Sequence, residues 1–445
     1  MDEERSTAPV EANAAGAVGL GDRRDDLPAE DRASATWILR SPFVWLVPVI
    51  VGAVVRAAYW AVVTPDWIPN ADADQYLRLA RALADGDGYS LVFPQLEMHA
   101  TAFRPPLYPA LLSIPTWIFG DDVLWPSRLL SLLISLGVIA LTVVFVRRMA
   151  GPLAGVVAGI AVAVTPNLVA NDTVTLTEPL ALLLLVGLLI ALDDERAVLS
   201  GILLGLLFLT RPNAYLILIV VVVTLWRLVG WRKALIGLAC CAAVVVPWLV
   251  RNQVQVGTFR LATSDGFTMA AIYGPPAQER GRFVDPVFDP WYEDHRDGEF
   301  KVLQFDEAEW TGRLSTLAID SLRENPTYLI DVVWHNMLNV LEVETAPNRV
   351  ADGLDGRNVD FVGDTLPLYY VLLVVGFLGL LSQAANRRLW PAFGVVGGTL
   401  LLSLLLVAPP RLRSPMELLL CMGVGFAVAW VVEHRRGAIP DLDGI

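Results

Sequence analysis

Through most of this chain the apolar residues come in unbroken runs, not at the three- and four-residue spacing of a half-buried helix. Runs at roughly 43–63, 123–146, 151–168, 176–192, 197–210, 213–229, 234–250, 367–385, 391–408 and 415–432 approach the length needed to cross about 30 Å of hydrocarbon as helices. They predict about ten crossings and an all-α polytopic membrane protein. The run 197–210 is short, and Arg211-Pro212 separates it from the next. Segment 106–119 is apolar too, but Pro109 and Pro115 break it. It is expected to lie on or dip into the outer surface, because counting it as a span upsets the distribution of charge.

Charge orients the spans. Arg40, Arg147-Arg148, Arg196, Arg227, Arg232-Lys233, Arg387-Arg388 and Arg435-Arg436 all fall on one side, which the positive-inside rule makes cytoplasmic. The other side receives loop 64–122, the 169–175 and 409–414 turns and loop 251–366, in which twenty acids face ten basic residues. The expected organisation is therefore a disordered cytoplasmic tail (1–36), a membrane module (37–250) with a first outer loop (64–122), a large outer loop of mixed structure (251–366), C-terminal membrane helices (367–433) and a cytoplasmic tail (434–445). Both termini lie in the cytoplasm and the protein sits in the cytoplasmic (inner) membrane.

Composition narrows the chemistry. Only 18% of the 445 residues are charged and 55% are hydrophobic, where a soluble chain carries about a quarter charged residues. A net charge of −13 offers no basic face for nucleic acid. Cys240, Cys241 and Cys421 all lie inside apolar runs, so neither a disulfide framework nor a zinc site is implied. The four histidines are scattered without metal-ligand spacing.

The polar residues that invite a chemical reading converge on the outer face. Asp72 opens an amphipathic segment with Tyr76, Leu79, Ala80 and Leu83 on one face. As an N-cap with Gln75 three residues on, it fits a capping box; as a carboxylate beside a reacting centre, it fits a general base. Asp74 points to another helical face and reads as a solvated acid, while an Asp-x-Asp pair leaves a divalent metal open. Arg104, stiffened by Pro105-Pro106, suits phosphate, because its donor fork matches phosphate oxygens; it equally suits ordinary lipid headgroups. Arg211, Arg251, Arg411 and Arg413 repeat the theme at the outer ends of four spans. Together they make an electropositive pocket, and singly each finds a partner among the acids of the large loop. Glu178 and the neighbouring Asp172 are ionisable groups at the outer end of a span, and the alternative for Glu178 is stabilisation of a helix N-terminus. Arg56, inside the first span, requires a partner within the bundle. Trp291, Tyr292 and Trp310 either stack on sugar rings or pack in a small domain of the large loop.

In order along the chain, Asp72 with Tyr76, Gly86-Asp87-Gly88-Tyr89, the Arg104-Pro105-Pro106-Leu107-Tyr108-Pro109 core, Thr177-Glu178, Arg211-Pro212, Pro247-Trp248 with Arg251-Asn252, Gly257-Thr258-Phe259 and Arg411-x-Arg413-x-Pro415-x-Glu417 resemble the GT-C membrane glycosyltransferases. The nearest likeness is to family 39, akin to protein mannosyltransferases and aminoarabinose transferases, and it runs over about residues 40–432. The resemblance implies a bundle of the GT-C type and transfer of a hexose or pentose from a polyprenyl-phosphate donor to an extracytoplasmic acceptor, which would be a cell-envelope glycan, lipid or protein. It implies Asp72 and Glu178 as the catalytic acids, and Arg104, Arg211, Arg251, Arg411 and Arg413 around the donor phosphate. Asp74, Tyr76, Tyr108 and Asp172 fall where substrate is contacted. Many relatives carry a different acidic pair at the first motif, so Asp72-Ala73-Asp74 leaves open whether Asp74 shares the work. The competing class is a transporter or flippase of a lipid-linked sugar, which calls for internal repeats and polar residues at the bilayer midplane. No repeat is visible, and the charges gather at one face.

Overall fold

The apolar runs fold into helices, and the places where the chain turns are set by glycine, proline and charge. A computed structural model describes residues 42–437 apart from 96, 121–123, 213, 295–297, 299, 303–304, 344–346, 348–349 and 351–352. The expected N-terminal tail (1–36), Arg40 and most of the C-terminal tail lie outside the described residues. The chain divides into two units, Met1–Val44 and Trp45–Ile445. Only 42–44 of the first are described, and the second holds the bundle and the two large loops, 64–122 and 251–366.

Every expected span coincides with a helix. Five helices are long and apolar enough to cross a membrane: Val44–Val63, Trp125–Val164, Trp231–Gln255, Arg387–Leu405 and Pro410–Arg435. Shorter apolar helices cover Ala197–Phe208, Tyr215–Val229 and Leu366–Ser382, and Glu178–Asp193 is a further apolar helix. The 40-residue helix Trp125–Val164 breaks at Ala150–Gly151, where Gly151 has φ +85°. Its two halves fold back on each other: a Cβ on Gly155 would lie 2.8 Å from the Val143 carbonyl oxygen, whereas a straight helix would hold these residues about 18 Å apart. The chain therefore reverses beside Arg147-Arg148, between the runs 123–146 and 151–168. Close helix contact elsewhere rests on small residues. A Cβ on Gly379 would fall 1.8 Å from the Gly423 carbonyl oxygen, so Leu366–Ser382 and Ser414–Gly437 meet backbone to backbone.

The first loop supplies a helix, Ala71–Asp85, a short hairpin pairing Ser90–Leu91 with His99–Ala100, and the 13-residue helix Leu107–Phe119 at segment 106–119. The chain pattern predicts mixed structure for loop 251–366. Among the described residues it contains helices and irregular connections, and the only strands are the two of the first loop. Trp310, Tyr292, Phe300, Val284 and Leu314 close a small core within it, with Trp310 Nε1 donating to the Phe300 carbonyl at 3.0 Å and the Tyr292 hydroxyl to that of Ala270 at 2.8 Å. These aromatic rings pack among themselves.

The two loops are bolted together by one carboxylate. Glu307, 2% exposed, accepts from the Ala102 N–H at 2.9 Å, the Thr101 and Thr263 hydroxyls at 2.6 Å each, and faces His99 Nε2 at 2.8 Å. Arg251 adds bonds to the carbonyls of Thr101 (2.5 Å) and Tyr89 (2.8 Å). The stretch carrying Arg104 is thereby fixed from both sides.

Candidate active site

Asp72 sits in the first turn of the Ala71–Asp85 helix, and it is not the cap. Asn70 is the N-cap, and its side chain accepts from the Ala71 N–H at 2.8 Å. Gln75, expected to complete a capping box, instead accepts from Arg104 Nε at 2.7 Å. Asp72 therefore lies one residue inside the helix, after Ala71, whose φ of +42° is a region that costs a residue with a Cβ. Trp67, Ala73, Val174 and Leu176 pack together beneath this turn, which carries Asp72 to the start of the Glu178–Asp193 helix.

Three guanidinia from separate segments meet there. Arg104 Nη2 donates to Asp72 Oδ1, and Arg411 Nη2 donates to Asp72 Oδ2 at 2.6 Å. Arg211 pairs with Glu178 at 3.0 Å, and Arg411 Nε lies 3.9 Å from the same Glu178 oxygen. The other Glu178 oxygen is buried with no hydrogen-bond partner. Arg411 Nε also pairs with Asp355 Oδ2 at 3.0 Å. Each cation is placed by its surroundings. Leu107 N–H bonds the Leu209 carbonyl at 2.9 Å, joining the Arg104 stretch to the turn that bears Arg211. The short helix Pro410–Arg413 is held by Asn167, which donates to the Pro410 carbonyl and to Glu417 at 3.0 Å each.

The electrostatics result from this packing. Burial pushes the Asp72 carboxyl up, but the charges of Arg104 and Arg411, the hydrogen bond from Arg411 and the charge of Arg211 outweigh it and hold Asp72 well below the usual carboxylate range. Asp355 goes the other way. Burial raises it, the charge of Arg411 and, more weakly, that of Arg357 oppose, the negative charges of Asp72 and Glu178 add to the rise, and it is pushed up to about 7.

The other expected residues divide between the edge of this cluster and places away from it. Tyr76 and Tyr108 are buried and meet edge to face at 5.5 Å; the Tyr108 hydroxyl bonds Ser131 at 2.8 Å, and Arg104 lies 5.6 Å over the Tyr76 ring. Asp74 is only partly buried and pairs with Arg78 at 2.6 Å. Asp172 receives Arg56 at 2.5 Å and 2.9 Å, which gives Arg56 its partner and removes Asp172 from the arginine cluster. Two expected phosphate ligands are engaged elsewhere. Arg251 spends its guanidinium on loop carbonyls and on the face of Trp248, 4.9 Å away. Arg413, 4% exposed, is enclosed by Glu417 (2.5 Å), Glu342 (2.8 Å) and the Tyr369 ring. Sequence reasoning read Gln75 only as a capping partner and missed Glu307 and Asp355. Nothing in the pattern distinguishes the last two from the other acids of their loop.

A divalent metal fits this arrangement poorly. Both Asp72 oxygens already face guanidinia, Asp74 is turned to Arg78, and among the described residues no group of three or more His, Cys, Asp or Glu could hold a metal ion. Below the cluster, a narrow cleft runs from Glu178 and Arg211 between apolar side chains including Leu182, Leu185, Leu207 and Ile217.

Comparison with known proteins agrees with this geometry at the level of fold. Residues 103–250 match the family model of dolichyl-phosphate-mannose-protein mannosyltransferase. The apo oligosaccharyltransferase of Archaeoglobus fulgidus superposes with a TM-score of 0.50 at 13% identity, over 90% of this chain and 51% of that one. The chain has the GT-C membrane fold. It spans about half the length of the oligosaccharyltransferase it matches. Weaker likenesses are to ArnT from Cupriavidus metallidurans bound to undecaprenyl phosphate (TM-score 0.40, 16% identity, 91% of this chain and 80% of that one) and to A. fulgidus AglB with an inhibitory peptide and a dolichol-phosphate (0.47, 14%, 90% and 52%). No curated protein matches the chain. The family-model match takes in Arg104, Glu178 and Arg211 and stops short of Asp72, Asp355 and Arg411 at either end.

Proposed function

We propose that this GT-C-fold protein is an integral membrane glycosyltransferase, moving a hexose or pentose from a polyprenyl-phosphate donor to an acceptor outside the cytoplasmic membrane. The observation that carries the reading is the convergence of Arg104, Arg211 and Arg411, from three separate segments, on Asp72 and Glu178, beside an apolar cleft that Glu178 and Arg211 line. A prenyl tail suits the cleft, and its phosphate suits the guanidinia. Asp72 and Glu178 hold those guanidinia in place, and each guanidinium has further N–H groups to offer an arriving phosphate. In the transfer, the sugar's anomeric carbon loses its bond to the phosphate oxygen as it gains one to the acceptor. The arginines hold the charge that gathers on the departing phosphate, which is the preorganised electrostatic stabilisation that supplies much of catalysis. The family model's description supports sugar transfer from a lipid phosphate. In this reading the loop end of the bundle faces outward, and both termini face the cytoplasm.

The test is binding of undecaprenyl phosphate by the purified protein in detergent. The wild type should bind saturably. Arg104→Ala and Arg211→Ala should each weaken binding by about ten- to a hundredfold, since a hydrogen bond to a charged group is worth roughly 1.5–3 kcal/mol. Lysine at either position should restore part of it, lacking the two-pronged fork. Unchanged affinity in both alanine variants refutes the proposal.

A further inference from the structure

The proposed reaction needs a group to take the acceptor's proton, and Asp72, the residue expected for it, is held by two cations. Its Oδ1 faces Arg104 and its Oδ2 faces Arg411; a carboxylate gripped this way is a weak base. On another edge of the same Arg411 guanidinium lies Asp355, with Oδ2 3.0 Å from Nε. Asp355 is 6% exposed and its placement is built. Next to it Gly356 has φ +72°, and a Cβ there would lie 2.6 Å from Trp67 Nε1, so the backbone is pressed against the ring that also underlies Asp72. On the far side Arg357, 3% exposed, donates to Asn167 Oδ1 at 2.5 Å, the residue that fixes the Pro410–Arg413 turn.

We propose that Asp355 is the proton acceptor of the transfer, while Asp72 keeps Arg104 and Arg411 in register for the donor phosphate. This rests on the glycosyltransferase reading above. The acceptor's oxygen forms its bond to the anomeric carbon as the bond from that carbon to the phosphate oxygen breaks. The electron pair of the broken bond leaves on the phosphate, held by Arg104, Arg211 and Arg411. The acceptor's proton passes to the Asp355 carboxylate and from there to water. Charged groups facing Asp355 are Arg411, Asp72, Glu178 and Arg357. Burial raises its proton affinity, and these charges partly offset the rise and leave it near neutrality, where a base both stays ionised in use and takes up a proton readily.

Two measurements on the full-length protein test this: release of undecaprenyl phosphate from undecaprenyl-phosphate mannose in the presence of membranes supplying acceptors, and affinity for undecaprenyl phosphate itself, each followed from about pH 5 to 9, a range that brackets the proton uptake of such a base. The wild-type rate should rise through about pH 7 and level off above it. Asp355→Asn should slow transfer by about a hundred- to ten-thousandfold and lose that rise, while binding undecaprenyl phosphate as well as the wild type or better. The gap in affinity should widen as pH rises through about 7, because only the wild type then gains a negative charge beside Arg411. Gly356→Ala, which displaces an intact carboxylate, should cost rate in the same way, and Asp355→Glu should recover part of it. An Asp355→Asn protein with wild-type rate and pH profile overturns the assignment and leaves the donor reading standing. A wild-type protein that does not bind undecaprenyl phosphate overturns the reading beneath it.

Discussion

Replacing Glu307 tests whether the loops 64–122 and 251–366 act as one unit around the arginine cluster. Its four polar neighbours, His99, Thr101, Ala102 and Thr263, lie within 2.6–2.9 Å of a carboxylate that is 2% exposed. In Glu307→Gln the amide oxygen keeps two donors as neutral hydrogen bonds, and the amide nitrogen meets the Thr101 hydroxyl and His99. Hydrogen bonds to a charge are worth roughly 1.5–3 kcal/mol against 0.5–1.5 for neutral ones, so the glutamine should cost about 1–3 kcal/mol. Glu307→Ala strands all the donors, and breaking a buried charged cluster costs roughly 3–5 kcal/mol. Thermal unfolding in detergent should therefore rank the wild type above Gln and Gln above Ala, with proteolysis of the first loop rising in the same order. Because Ala102 lies two residues from Arg104, affinity for undecaprenyl phosphate should fall in parallel, about tenfold for each 1.4 kcal/mol by which loop docking is lost at the site. An alanine variant that melts, resists protease and binds like the wild type refutes the idea that Glu307 joins the loops.

The same contacts set the pH dependence of loop docking. Burial lowers the proton affinity of His99, but the hydrogen bond to Glu307, the one to the Glu97 carbonyl and the Glu307 charge raise it above its ordinary 6.5; its contribution to loop docking is then complete below about 6.5 and lost as pH rises through the raised value, so melting measured against pH should show a fall that His99→Gln removes. Cysteine labelling from outside intact cells should reach positions beside Arg104 and not those beside Arg147, and labelling of both from one side would undo the proposed orientation.

The helices and their turns were legible in the linear pattern. Long apolar runs have few ways to satisfy their backbone polar groups in lipid, so the runs became helices, the reversal between 123–146 and 151–168 fell at Gly151, and Arg211-Pro212 divided 197–210 from its successor. The same pattern brought Asp72, Arg104, Glu178, Arg211 and Arg411 into consideration, because a charge beside a membrane span is costly enough to stand out against its surroundings. Which of those charges share a site depends on how the bundle folds. Arg251 and Arg413 read like Arg104 and Arg411, yet one binds loop carbonyls and the other closes an ion cluster with Glu342 and Glu417. Asp72 read both as a helix cap and as a general base; Asn70 takes the cap, and Asp72 faces two arginines. Glu307 and Asp355 carried no signal because a soluble loop holds twenty acids that look alike in sequence. The reason is physical: the hydrophobic pattern is local and repeats along the chain, whereas the partner of a charge is a matter of which distant segments meet in space, and only the folded bundle brings position 355 against 411 and 307 against 101.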